Sequence, residues 1–77
     1  MYVTIIKFNE NDKDDLSNIM SDIALKDESF KFDIEGNVLK VFSDNWNKAH
    51  KRGTWLITNI KPLMLSGYNV KKVDKNY

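Results

Sequence analysis

The chain has no cysteine, one histidine, one proline and three glycines among its 77 residues. Without cysteine there can be neither disulfides nor thiolate metal sites, and a reducing compartment suits such a chain. With His50 as its single imidazole, a zinc site would have to be built mainly from carboxylates, a donor set zinc seldom takes. Gly36, Gly53 and Gly67 are dispersed and form no phosphate-cradling loop. The apolar run in "MYVTIIKF" is far too short to cross a bilayer, and no basic segment precedes it. A cytoplasmic protein with no membrane association is expected. No repeat, linker or low-complexity tract interrupts residues 1–77, which read as a single domain.

Charge is scarce in the sum and abundant locally. Twelve basic and eleven acidic residues leave a net charge of +1. Residues 9–35 hold nine acids against Lys13, Lys26 and Lys31, a net of −6, whereas residues 36–77 hold eight cations against Asp44 and Asp74, a net of +6. Opposed halves fit a dipolar surface better than a general polyanion binder. Heavy use of Asn, Lys, Ile and Asp suggests an AT-rich genome, as in a low-GC bacterium or its phage, and so a viral origin is one expectation.

Periodicity supplies the elements. "YVTIIKF" (2–8) is β-branched and aromatic and predicts a strand. Leu16, Ile19, Met20 and Ile23 recur at helical spacing, with Asn11 or a neighbouring Asp as the expected cap. "FKFDI" and "VLKVF" flank Gly36-Asn37, the signature of a hairpin. A two-residue loop puts Glu35 opposite Val38, Ile34 opposite Leu39 and Asp33 opposite Lys40, with Phe30, Phe32, Ile34, Leu39 and Val41 on one face.

Ser43 or Asp44 is then expected to cap a second helix over residues 45–64, with Trp46, Ala49, Gly53, Leu56, Ile57, Ile60, Leu63 and Met64 inward. Gly53 and Pro62 oppose it, and a break at Gly53 followed by a strand "TWLIT" is the competing reading. "YNVKKV" (68–73) predicts the last strand. The order β-α-β-β-α-β is that of a ferredoxin-like α+β sandwich, a four-stranded antiparallel sheet with two helices on one face. That architecture hosts unrelated functions and specifies none.

The chemistry is sparse. "NENDKDD" resembles a calcium loop only superficially: counted from Asp12, position six is Ser17 and position twelve is Ile23 where Gly and Glu are required. No nucleophile elbow or second imidazole accompanies His50. No catalytic residue, metal or cofactor is expected, and the chain reads as non-enzymatic. The leading expectation is a small protein-binding domain acting as a regulator, adaptor or inhibitor. Lys48, Lys51, Arg52, Trp55 and Asn59 on the second helix, with Lys40 and Phe42 on the third strand, are the expected partner-binding residues. Trp46 belongs to the expected core and Trp55 does not. The alternative is a single-stranded RNA- or DNA-binding module using the basic C-terminal half. Both residue parities of the first strand are apolar, which adds homodimerisation across the open sheet face as a further expectation.

Overall fold

Alternation in the first strand decides which side of the sheet is covered. The computed structural model describes residues 1–73. In β1 (Tyr2–Lys7), Thr4 and Ile6 are fully buried against the helices, while Val3, Ile5 and Lys7 point to the other face. The elements that follow are α1 (Lys13–Lys26), β2 (Lys31–Glu35), β3 (Val38–Ser43), α2 (Trp46–Asn59) and β4 (Tyr68–Lys72). The strands order as β2-β3-β1-β4, with every neighbouring pair antiparallel. This is the expected α+β arrangement, a ferredoxin-like sheet with both helices on one side.

The hairpin has the register that its sequence demands. Glu35 faces Val38, Ile34 faces Leu39 and Asp33 faces Lys40. Gly36 takes a φ of +58° while Asn37 keeps a negative φ, as in a turn with glycine at the first central position. The charged partner differs from expectation: the Lys40 ammonium lies 3.2 Å from Glu35, not from Asp33 directly across the ladder.

Asp12, beside Asn11, is the N-cap residue of α1 but makes no side-chain cap hydrogen bond, and α2 is capped one or two residues later than expected. The Asn9 side chain accepts from the Asn11 amide and opens a 3-10 turn, Glu10–Asp12, that leads into α1. The Asn45 side chain accepts from the Lys48 amide at 2.8 Å and caps α2. Ser43 is unsuited to that task because it is buried at the end of β3, and Asp44 instead pairs with Lys48 at 3.6 Å.

α2 runs straight through Gly53, so "TWLIT" is helical, and it stops at Asn59 well before residue 64. Ile60 is extended, and Pro62 sits at the start of a 3-10 turn, Lys61–Leu63, where a missing amide hydrogen costs little. Leu63 reaches the core from this turn, whereas Met64 is half-exposed rather than inward. The core joins Ile6, Leu39 and Val41 of the sheet to Leu16 and Met20 of α1 and Leu56 of α2. A buried hydroxyl adds direction: Thr4 donates to the Ala49 carbonyl at 2.8 Å and ties α2 to the central strand, a bond typically worth about 1 kcal/mol.

Gly53 earns its place through Tyr68. A Cβ at residue 53 would stand 2.6 to 2.9 Å from the Tyr68 ring, closer than carbon atoms approach. The aromatic ring therefore lies directly on the helix backbone. Alanine at this position would gain about 1 kcal/mol of helix propensity and incur an overpacking cost of about 1–3 kcal/mol. Gly53→Ala is expected to lower stability by on the order of 1 kcal/mol in urea unfolding, from those two terms. In a Tyr68→Val background the same change is expected to stabilise. A gain in the wild-type background would show that the ring moves aside freely.

Candidate functional site on the second helix

Inward positions of α2 follow a four-three-four spacing through Ala49, Gly53, Leu56 and Ile60, all buried. Lys51, Thr54 and Thr58 consequently project to solvent, with a tryptophan on each flank. Trp46 is 53% and Trp55 51% exposed, so the expected contrast between a core Trp46 and a surface Trp55 does not hold. Periodicity placed Trp46 inward, but at the first turn of α2 it lies beyond the edge of the core and packs on a neighbour instead. Its ring centroid is 3.9 Å from that of His50. His50 Nδ1 lies 3.2 Å from the Tyr68 hydroxyl, which is 2.9 Å from the Thr54 hydroxyl. His50, Tyr68 and Thr54 thus form a polar chain that fixes the β4 flank of the helix.

Trp55 belongs to the other flank. With Ile23, Asp27, Phe30, Lys51, Arg52 and Leu56 it lines a groove of about 340 Å³ between α1 and α2. The two indoles are nine residues apart on α2, about 13 Å along the axis. Between them stands Lys51, exposed and in no ion pair among the described residues. Nine residues are also half a turn around the axis, so Trp55 shares its face with Lys51, four residues before it, and Trp46 lies on the opposite flank.

Arg52 is a different kind of residue from its neighbour. One helical step of 100° turns it from the surface toward the end of β3. Its guanidinium donates to the Phe42 carbonyl at 3.2 Å and to the Ser29 hydroxyl at 2.9 Å, and reaches Ser43 at 3.4 Å. It also lies 3.7 Å from the Asp27 carboxylate and 5.6 Å from the centre of the Phe30 ring. With its donors committed internally, it has little to offer a partner. Asn59 is similarly engaged, its side-chain amide donating to the Trp55 carbonyl at 2.9 Å.

The remaining expected residues lie on the far side of the molecule. Leu39 and Val41 of β3 face the helices, so Lys40 and Phe42 face away from them, on the open side of the sheet. Lys48, Lys51 and Trp55 are therefore brought together, and Lys40 with Phe42 is not part of that group. On the open face, strand parity does bring Val3, Ile5, Val38 and Phe42 together, none of them largely exposed. Val3 is only 7% exposed there, and Lys7, Lys31, Asp33, Glu35, Lys40 and Lys71 surround the apolar positions. Every large, exposed apolar side chain among the described residues lies on the helices or the α2–β4 connection: Leu25, Trp46, Trp55, Met64 and Leu65.

Among the described residues no three His, Asp or Glu side chains are grouped as metal ligands, and no helix is long and apolar enough to cross a membrane. No protein-family model matches the chain, and no curated protein or solved structure shows significant similarity to it.

The Asp27 carboxyl is held below its usual range, first by the Ser29 hydroxyl at 2.7 Å and the Ser29 amide at 3.0 Å, then by the Arg52 and Lys48 charges. A depressed folded-state value means that the ionised carboxylate stabilises the fold above the unfolded value of about 3.9, and that this contribution is lost as pH falls through the folded value. Asp27→Asn is expected to flatten the acid limb of a stability-against-pH curve, measured by urea midpoints. Parallel acid limbs for the two proteins would show that this pair does not contribute to acid lability.

Proposed function

We propose that the chain is a small non-enzymatic binding protein that engages a protein partner through the outer face of α2, as a regulator, adaptor or inhibitor does. Trp55 is the anchor, and Lys48 and Lys51 beside it supply charge. The observation that carries this reading is the half-exposure of Trp55 on the face of α2 that also carries Lys51. An indole left at the surface forgoes burial that a core would reward, and rings of this kind dominate binding energy where a partner covers them. The non-catalytic part of the reading rests on the single imidazole and the absence of any thiol. A cysteine-free chain also suits the cytoplasm.

Charge placement favours a protein over a nucleic acid. Lys48 and Lys51 sit on α2, but Asp14, Asp15 and Asp22 are exposed on the adjoining α1. A strand of phosphates laid across this layer would meet both signs, and Lys40 and Phe42 face the opposite way.

Retention of partners from nuclease-treated and untreated native extract tests the reading, with wild-type and Trp55→Ala chains immobilised. A nuclease-resistant protein retained by wild type is expected, with binding to Trp55→Ala weakened about tenfold or more. Unfolding of Trp55→Ala is expected to shift by less than about 1 kcal/mol, as for a surface change. Retention that disappears with nuclease would establish the nucleic-acid alternative instead. A loss of about 3–5 kcal/mol in stability would make Trp55 a core residue and end the proposal.

A further inference from the structure

We propose that the helical layer also binds a second copy of this chain, in a two-fold pair that lays α1 of each protomer across α2 of the other. The inference does not depend on the function proposed above, although both use the outer face of α2.

Strand pairing fixes the helix directions. β1 and β2 are each antiparallel to β3, so they run the same way, and α1, which joins them, runs back. β3 and β4 are both antiparallel to β1, so α2, which joins them, runs opposite to α1. Two protomers meeting helix layer to helix layer have two natural choices of in-plane axis. An axis perpendicular to the helices sets α1 against α1 and α2 against α2. An axis parallel to them sets α1 against α2 twice.

Charge chooses between these. With Asp27 and Arg52 tied to each other, residues 10–26 carry five acids against Lys13 and Lys26, a net of −3, whereas α2 offers Lys48 and Lys51 and no acid. The perpendicular axis opposes like charges, and the parallel axis opposes unlike ones. A second copy is thus a partner whose charge pattern is complementary by construction.

The apolar residues fall into the same arrangement. Asp27 and Arg52 tie the two helices at one level. Leu25 stands two residues before Asp27 and Trp55 three residues after Arg52, about 3 and 4.5 Å along antiparallel axes in the same direction. Side chains on a helix lean toward its N-terminus, which brings these two closer in height. Rotation about the parallel axis preserves height, so Leu25, 84% exposed, meets the partner's Trp55 over the groove that Ile23 and Phe30 also line. Glu28 follows Asp27 in the turn that leaves α1, and Lys51 precedes Arg52 on α2. Both are exposed, and neither is in an ion pair among the described residues.

Size limits the strength. The Cα trace spans 31 × 25 × 21 Å, so its broadest face barely reaches the ~800 Å² per partner of a standard stable interface. The pair is therefore expected at the small, transient end of protein interfaces.

Sedimentation equilibrium over a wide concentration range reads this directly, with circular dichroism to verify that each variant folds. Wild type is expected to dimerise in that range. Lys51→Glu alone and Glu28→Lys alone should each weaken dimerisation about tenfold or more, and the double variant should restore it. Trp55→Ala and Leu25→Ala should weaken it as well. A strict monomer at millimolar concentration overturns the proposal. So does a dimer that ignores these four substitutions and is broken by Phe42→Glu, which would place the contact on the sheet. A monomer that still loses its protein partner on Trp55→Ala would leave the proposed function standing without the dimer.

Discussion

The Arg52 guanidinium is the interaction on which the helical layer depends. The two helices meet through the shared core, where Leu16 and Met20 of α1 join Leu56 of α2. Arg52 adds a polar tie at the rim of that core. It joins α2 to the α1–β2 connection through Ser29 and Asp27, and to the end of β3 through the Phe42 carbonyl. Planar geometry suits several acceptors at once, a task that a lysine point charge would fulfil poorly. The groove beside Trp55 lies against this tie, with Asp27 and Arg52 both in its lining.

Much of the fold was legible in the sequence because its signals are local and redundant. The hairpin combines period-two alternation with Gly36-Asn37, and both indicate the same register. α1 follows from its apolar stripe. The caps were less legible: Asn, Asp and Ser crowd both helix starts, and each can accept a backbone hydrogen bond. Gly53 illustrates a deeper difficulty. A glycine in mid-helix looks like a break, yet its reason is the Tyr68 ring, fifteen positions later and joined to it only in the folded sheet.

The site was legible in part, for similar reasons. Lys51 and Arg52 are adjacent cations of the same apparent type, but one helical step separates a free surface charge from an internal clamp. Trp46 fits the apolar period of α2 and was assigned inward, because periodicity gives the direction of a residue without showing where the core ends. Lys40 and Phe42 read as outward residues of the third strand, and the sheet stands between them and α2. What the sequence does convey is the dipolar charge pattern, which survives intact as an acidic helix beside a basic one.

The position of β1 in the sheet has a consequence for how the chain comes to be folded. It is the earliest strand in sequence and the second from one edge in space, flanked by β3 and β4. Its first partner arrives only with Val38–Ser43 and its second with Tyr68–Lys72. During synthesis, Val3, Ile5, Ile6 and Phe8 have no ladder to join, while α1 and the β2–β3 hairpin can form from local contacts alone. Pairing across such separations carries a loop-closure cost and slows folding relative to a helical bundle of the same length. In the order of synthesis, β3 of the hairpin is the first partner available to β1, and β4 is the last.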